Sequence, residues 1–304
     1  MNKRLFVTGL NGFVGRHLQS RLKAGAAGWH LLPASSPYDL CQPDTLEGLW
    51  PELPDAVIHL AGQTFVPEAF RDPARTFHVN LLGTLNLLQA LKNRGFSGTF
   101  LYVSSGDVYG QVSESQLPIT ELQPPAPRNP YAVSKVAAEL LSLQWGMSEG
   151  WPVMVARPFN HIGSGQKDSF VIASAARQIS RIQRGLQAPQ LEVGDIDVTR
   201  DFLDVGDVVC AYLALLDKGQ PGQIYNICSG TEHSIRSLIE QLGDIAQVEL
   251  QLVQDPARLR RAEQRRVCGS AAKLHQATGW TPVITTQQSL RAILSDWESR
   301  VEQE

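Results

Sequence analysis

The sequence predicts an α/β fold in which a doubly wound parallel sheet is joined to a smaller C-terminal α/β lobe. Over the first half of the chain, short apolar runs alternate with helix-length segments, as in buried parallel strands covered by helices on both faces. After about residue 160 the alternation loosens, and polar, glycine-containing stretches appear. We therefore expect residues 1–160, with some later segments, to form the main sheet, and residues 161–304 to form most of the lobe.

Each strand of the expected sheet is a nearly continuous apolar run. The predicted strands are Arg4–Thr8, His30–Ala34, Ala56–Ala61, Thr99–Ser104 and Val153–Arg157. Helical patterns follow Gly15 and cover residues 77–94 and 130–145. Because crossovers between parallel strands are right-handed, these helices should cover both faces of one sheet.

The composition excludes several classes of function. A net charge of −3 without a basic stripe disfavours nucleic acid as a partner. No apolar run approaches the roughly 18 residues that span a membrane, and the N-terminal residues do not resemble a secretory signal. The four cysteines are scattered without a C-x-x-C pair, which favours reduced thiols over disulfides or a metal site. We expect a cytoplasmic protein that binds no metal, membrane or nucleic acid.

Three glycines lie between the first strand and the first helix, at positions 9, 12 and 15. Glycine there lets a pyrophosphate approach the backbone, and the free N–H groups at the helix N-terminus then face the anion. The same spacing also occurs in ordinary tight turns. Its position directly after the first strand favours a Rossmann-like dinucleotide site.

Tyr131 and Lys135 are four residues apart in a predicted helix that begins with Asn129 as cap and Pro130 in the first turn. Residues at this spacing share a face, so the phenol and the ammonium should converge. A neighbouring cation stabilises phenolate and lowers the pKa of tyrosine towards the working range of an acid or base. The alternative is two exposed polar side chains on an amphipathic helix.

Ser105 lies at the carboxyl end of the fourth predicted strand, where open α/β sheets place their ligands. Its hydroxyl could hydrogen-bond a reacting carbonyl oxygen and hold it against Tyr131. A turn of small residues is the alternative. Because Ser105 precedes Tyr131 by 26 residues and both follow the glycines, the combined order favours an oxidoreductase.

Together these motifs resemble the extended short-chain dehydrogenases/reductases that act on nucleotide sugars, over nearly the whole chain. Residues 59–62, 80–86 and 157–163 are similar to family segments that border the cofactor. The resemblance implies that Ser105, Tyr131 and Lys135 are catalytic. It implies that the cofactor is bound by Gly9, Asn11, Gly12, Phe13, Val14, Gly15, Ser35, Asp39, Leu40, Leu60, Ala61, Gly62, Tyr131, Lys135 and Pro158.

The second half of the chain resembles the GDP-mannose dehydratases and, more closely, the GDP-4-keto-6-deoxy-D-mannose reductases that form GDP-D-rhamnose. The implied substrate is a GDP-linked 4-keto-6-deoxy sugar. Its implied contacts are Ser105, Asp107, Asn160, Phe170, Val171, Arg200, Arg260 and Glu263. By that likeness Arg200 and Arg260 hold phosphate oxygens, and Glu263 accepts from guanine or ribose.

The motif around Ser105 departs from the dehydratases, because Gly106 follows it and an acidic residue appears only at Asp107. Without the full acid/base pair we expect reduction of the ketone, with Tyr131 as proton donor. A dehydratase or epimerase that retains its cofactor, and a non-catalytic dinucleotide sensor, stay open as alternatives.

The cofactor and the oligomeric state complete the expectations. The second strand ends without the acidic residue that usually bonds the ribose 2′-hydroxyl, whereas Ser35, Ser36 and Asn11 could accommodate a 2′-phosphate. We therefore expect NADPH, with NADH left open. The helices predicted at 77–94 and 130–145 carry leucines on more than one face, and related enzymes pair such helices, so we expect a homodimer.

Overall fold

The computed structural model describes residues 3–25, 28–258 and 264–304. Its strands are β1 (Lys3–Thr8), β2 (Trp29–Leu31), β3 (Ala56–His59), β4 (Thr99–Val103), β5 (Val153–Pro158), β6 (Asn160–Ile162), β7 (Gln190–Val193), β8 (Thr199–Asp204), β9 (Ile224–Ile227), β10 (Glu232–Ser234) and β11 (Gln251–Gln254). Its α-helices are α1 (Phe13–Lys23), α2 (Val66–Arg71), α3 (Pro73–Phe77), α4 (Gly83–Asn93), α5 (Pro130–Glu149), α6 (Val171–Gln183), α7 (Val205–Lys218), α8 (Ile235–Ala246), α9 (Ala272–Thr278) and α10 (Thr286–Val301).

The main sheet has six parallel strands in the order β2, β1, β3, β4, β5, β9. Helices α1, α7 and α9 pack on one face of this sheet, and α4 and α5 pack on the other. The predicted doubly wound parallel sheet is therefore confirmed. None of the helices formed by the described residues has the combination of length and apolar character that crossing a bilayer requires.

The second half of the chain builds a further apolar cluster and also returns to the main sheet. Helices α6, α8 and α10 pack together over β7 and β8. Strand β8 lies between β10 and β6 in a three-stranded sheet, and β11 pairs with β7. Strand β9 extends the main sheet beside β5, with parallel pairing from Val155 and Ile224 to Pro158 and Ile227.

The structure differs from the predicted elements in several places, two of which lie close to the site. The second strand ends at Leu31 rather than at Ala34, because Pro33 has no N–H to donate to the neighbouring strand. The long helix predicted over residues 77–94 is divided, with a π-helical turn at His78–Leu82 between α3 and α4. π turns are frequent at functional sites.

The order in which the chain adds strands to the sheet reverses at β1. Strand β2 lies on one side of β1, and β3 lies on the other. Ligands of open α/β sheets bind in the crevice at such a point, outside the carboxyl ends of the strands. Gly9 directly follows β1 with a φ of +72°, and a Cβ there would lie 2.8 Å from the amide nitrogen of Ala61. Both the backbone conformation and the close approach of two loops therefore require glycine at position 9.

We predict that Gly9→Ala lowers the free energy of unfolding more than Gly25→Ala does. Gly25 has a similar φ of +80°, but apart from its chain neighbours no described residue lies within 4 Å of the added Cβ. Gly25→Ala should therefore cost only the roughly 1–2 kcal/mol of a left-handed conformation. Gly9→Ala should cost roughly 1–3 kcal/mol more, because the loop at Ala61 must move. Urea unfolding followed by circular dichroism measures the difference. Equal losses in the two variants would contradict the close approach.

Candidate active site

A cavity of about 2700 Å³ runs from the carboxyl ends of β1 and β3, past β4 and β5, to the helices of the second half. Most of the predicted site residues lie along its wall. They are Gly9, Asn11, Gly12, Phe13, Val14, Gly15, Asp39, Leu40, Leu60, Ala61, Gly62, Ser105, Asp107, Tyr131, Lys135, Pro158, Asn160, Phe170, Val171 and Arg200.

Three predicted residues are not among them. The Ser35 hydroxyl donates to the backbone oxygens of Gly48 and Leu49 at 2.9 and 3.0 Å, and it is the next residue, Ser36, that lines the cavity. Ser35 therefore lies off the cavity wall, and its cofactor contact stays a prediction. Arg260 and Glu263 lie outside the described residues.

The glycine end of the cavity fits an anionic ligand. Helix α1 begins after Gly12, which has no side chain to cap the first turn, and that turn holds no acidic residue. The backbone N–H groups at this end therefore lack a side-chain acceptor and favour a negative group. A Cβ at Gly15 would collide with the backbone oxygens of Gly9 and Leu10, so the turn closes only with glycine. These features suit the pyrophosphate of a dinucleotide.

The loop after β2 is anchored to α4. The backbone oxygen of Leu40 accepts from Nδ2 of Asn86 at 2.8 Å, and a Cβ at Gly83 would meet Leu40 at 3.3 Å. A carboxylate oxygen of Asp39 accepts from the backbone N–H of Cys41 at 2.9 Å. These contacts hold a buried leucine and a carboxylate at the cavity wall, as the predicted cofactor contacts of Asp39 and Leu40 require.

The first turn of α5 is tied to the segment that follows β4. Oδ1 of Asn129 caps the helix by accepting from the backbone N–H of Ala132 at 2.8 Å, and Nδ2 donates to Oδ2 of Asp107 at 2.7 Å. The Ser105 hydroxyl in turn accepts from the backbone N–H of Asp107 at 3.2 Å. One asparagine therefore fixes Ser105 and Tyr131 relative to each other, because each belongs to one of the two joined segments.

Tyr131 is 8% exposed, and the Ser105 hydroxyl lies near enough to act on its pKa. Burial raises the pKa of Tyr131, the polar Ser105 hydroxyl opposes this rise, and the charge of Asp107 adds to it. The net direction is opposite to the lowering expected from the motif, because burial outweighs the groups that favour phenolate. A raised pKa keeps the phenol protonated at neutral pH, as a proton donor requires.

Lys135 lies one turn further along α5 and is 5% exposed. Its Nζ sits 4.7 Å from the centroid of the Tyr102 ring, a cation–π distance. Burial lowers the pKa of Lys135 to about 8, and the charge of Glu139 opposes the fall. At neutral pH most of the population therefore holds an ammonium beside a protonated phenol.

A buried chain of hydrogen-bonded side chains runs from Thr8, at the end of β1, to Ser134 on α5. The motifs in the sequence do not predict it. Thr8 Oγ1 and His59 Nδ1 are 2.6 Å apart, His59 Nε2 and Thr84 Oγ1 are 2.9 Å apart, and Thr84 Oγ1 donates to the Asn80 backbone oxygen. Nδ2 of Asn80 then donates to Oγ of Ser134, at 2.9 Å. Burial, with the Lys135 charge, lowers the pKa of His59 to about 3. Its ring is therefore neutral and able both to donate and to accept.

The wall of the cavity on the side of the second half carries the predicted substrate residues. Arg200, on β8, is buried and donates from Nη1 to the Thr199 backbone oxygen at 2.7 Å. Phe170 and Val171 are exposed at the start of α6, and Asn160 is exposed on β6. A cation beside apolar and amide groups suits an anionic, partly apolar ligand. Among the described residues no cluster of histidine, cysteine and acidic side chains could hold a metal ion.

Comparison with known proteins supports the resemblance seen in the sequence. The family model of GDP-mannose 4,6 dehydratase matches residues 34–293. The chain is 73% identical over 304 residues to the GDP-6-deoxy-D-mannose reductase of Pseudomonas aeruginosa, and the alignment covers 100% of each chain. It is 31% identical over 266 residues to the GDP-mannose 4,6-dehydratase of Vibrio cholerae, covering 77% of this chain and 70% of that one. The structure of RMD from Pseudomonas aeruginosa complexed with NADPH matches with a TM-score of 0.96 and 73% identity, covering 98% of this chain and 99% of that chain.

We predict that Asn129→Ala lowers the free energy of unfolding by about 1 kcal/mol, as the loss of a helix cap does, and also lowers kcat. The second effect arises because the link to Asp107 is lost. The control is Ser234→Ala, which removes the cap of α8, where Oγ accepts from the backbone N–H of Ser237 at 3.0 Å. Denaturant unfolding and steady-state kinetics of both variants measure the two effects. A normal kcat in Asn129→Ala would contradict the positioning role.

Proposed function

Because the chain belongs to the GDP-mannose 4,6-dehydratase family, we propose that it reduces the C4 ketone of GDP-4-keto-6-deoxy-D-mannose to GDP-D-rhamnose with NADPH. The observation that carries the proposal is that this chain matches a GDP-6-deoxy-D-mannose reductase over its full length. Ser105, Tyr131 and Lys135 line one cavity together with the glycines, as a reductase of this kind needs. The enzyme is an oxidoreductase of the extended short-chain dehydrogenase/reductase type.

The residues of the site divide the chemistry among them. NADPH, when bound, would supply the hydride that adds to the carbonyl carbon. Tyr131 gives its proton to the carbonyl oxygen, and Ser105 holds that oxygen through its hydroxyl. Lys135 stabilises the phenolate that forms on Tyr131, since a cation nearby favours the charged form. Burial keeps the phenol protonated until the oxygen develops charge.

Asp107 distinguishes reduction from the elimination catalysed by dehydratases. Its carboxylate accepts from the Asn129 side chain and raises the pKa of Tyr131 by its charge. An anion held in this way orients the helix start and favours a protonated Tyr131. Reduction requires that protonated donor, whereas elimination also requires a base free to remove a proton from the sugar.

The NADPH preference and the two parts of the chain fit the same proposal. The solved relative is complexed with NADPH, and here Ala34, Ser36 and Pro37 line the cavity soon after β2, where a carboxylate would repel a 2′-phosphate. Residues 1–160 bind NADPH, and residues 161–304 mainly bind the sugar nucleotide, with Arg200 on its diphosphate. The predicted cytoplasmic location is where both substrates would be available.

The homodimer is proposed from an apolar seam on the outer face of α5. Val133, Leu140 and Met147 are seven residues apart and exposed, the last two at 64% and 80%, and Leu82 is exposed on the neighbouring π turn. Apolar side chains repeated every seven residues suit packing against a second helix. Two copies of the chain would bury this seam by pairing α4 and α5 across a two-fold axis.

We predict that Leu140→Glu converts a dimer of this chain into a monomer, because two buried carboxylates would face each other across the axis. Leu122→Glu is the matched control, since Leu122 is also exposed but lies on a loop outside the seam. Sedimentation equilibrium of both variants measures the mass. A dimer of Leu140→Glu as stable as that of the unmodified chain would contradict the seam.

Tyr131→Phe tests the catalytic assignment. We expect NADPH binding to persist and kcat to fall by roughly 10²–10⁴-fold, about 3–5 kcal/mol, because the general acid is lost. The control is Tyr225→Phe. The Tyr225 hydroxyl accepts from the backbone N–H of Gln220 at 3.0 Å, and Tyr225 does not line the cavity. NADPH oxidation with freshly made GDP-4-keto-6-deoxy-D-mannose is followed by absorbance, and the sugar product is identified by NMR.

Full activity of Tyr131→Phe would overturn the role of the phenol. NADPH binding without oxidation in the unmodified chain would favour a sensor, and formation of a 4-keto sugar from GDP-mannose would favour a dehydratase. A dTDP-linked 4-keto sugar tests whether the base is recognised, and we expect a much lower kcat/KM for it.

A further inference from the structure

A buried ion pair lies directly behind the site, outside the mechanism described so far. Nε and Nη2 of Arg157 donate to the two carboxylate oxygens of Glu139 at 2.9 and 2.7 Å, and the side chains are 3% and 2% exposed. The desolvation cost of such a pair offsets most of its attraction, so stability alone does not explain it. The placement of its charges relative to the site offers an explanation.

Glu139 is four residues after Lys135 on α5, so the two side chains lie on the same buried face of the helix. Arg157 reaches Glu139 from β5, and its guanidinium stacks 4.8 Å from the centroid of the Tyr109 ring. The Tyr109 hydroxyl donates to Oδ1 of Asn226 on β9 at 2.6 Å. Two strands of the main sheet therefore fix the position of the carboxylate.

The groups that face Lys135 come from three elements. Tyr131 and Glu139 belong to α5, Tyr102 presents its ring from β4, and the neutral His59 lies on β3. Among these described neighbours, Glu139 is the one that carries a negative charge at neutral pH. Arg157 belongs to β5 and holds the Glu139 carboxylate through two hydrogen bonds. Lys135 stays the cationic neighbour of Glu139 on α5 itself.

We propose that Glu139, fixed by Arg157, is a positioning residue that keeps the Lys135 ammonium charged inside the closed site. The inference rests on the proposed function for its catalytic meaning, since Lys135 must be a cation when Tyr131 loses its proton. Burial already brings the pKa of Lys135 to about 8, and the Glu139 charge opposes that fall. Without the carboxylate the pKa of Lys135 falls further, and the neutral amine becomes common near pH 7.

The test is Glu139→Gln, which keeps the shape of the side chain and removes its charge. A ¹³Cε-lysine NMR titration with NADP⁺ bound reports the Lys135 midpoint, assigned from the signal lost in Lys135→Arg. We expect the midpoint to fall by about one pH unit, as the loss of one partly compensated charge a helical turn away implies. The pH at which kcat/KM declines on the alkaline side should fall by the same amount, and activity should recover when the pH is lowered again.

The matched control is Glu149→Gln on the same helix, where the carboxylate pairs with the exposed Lys92 at 2.7 Å. It should move neither the titration nor the pH profile. A second variant, Glu139→Gln with Arg157→Met, removes both charges of the ion pair together, so the guanidinium is not left buried without its carboxylate, and this protects the test against a folding failure. It should shift the Lys135 midpoint in the same direction as the single variant.

An unchanged Lys135 midpoint in whichever of these variants folds, as judged by circular dichroism, would overturn the inference. An altered pH profile with an unchanged midpoint would also overturn it, because the effect would then be structural. If the midpoint falls as expected while the unmodified chain oxidises no NADPH with the GDP-linked ketone, the inference stands and the proposed function fails.

Discussion

The Asn129 side chain makes the contacts on which the arrangement of the site depends. It caps α5 and bonds Asp107, so it joins the first turn of α5 to the segment that follows β4. Those two segments carry the hydroxyls of Tyr131 and Ser105, which we propose meet the substrate oxygen. Because these contacts form within the protein itself, the two hydroxyls are placed before any ligand arrives, and preorganisation of this kind lowers the barrier.

Burial gives these groups their chemistry and also sets the main constraint on the fold. Taking a phenol and an ammonium out of water costs free energy unless they find partners. Tyr131 finds Ser105, and Lys135 finds the Tyr102 ring and the charge of Glu139. Burial raises the pKa of Tyr131, which keeps its proton, and lowers the pKa of Lys135 to about 8. The two pKa values shift in opposite directions because burial disfavours the charged form of each group.

The sheet and the glycine turn could be predicted from the sequence, because apolar periodicity and motif order are local properties, and the residues predicted to be catalytic line one cavity. Contacts between distant segments escaped prediction. The Ser35 hydroxyl bonds the backbone oxygens of Gly48 and Leu49, and Ser36 rather than Ser35 lines the cavity. The π turn that includes Asn80 cannot be seen in a 3.6-residue pattern. The direction of the Tyr131 pKa depended on burial, which spacing does not report.

In the proposed reaction the site passes a hydride once, to C4 of a GDP-linked ketone, and then releases the oxidised cofactor. Incubation with NADPH deuterated at the transferable position of the nicotinamide, followed by NMR of the sugar, tests this reaction. We expect one deuterium at C4 of GDP-D-rhamnose and one oxidised cofactor released per product. Product that contains no deuterium, or product formed without net consumption of NADPH, would contradict the proposed reaction.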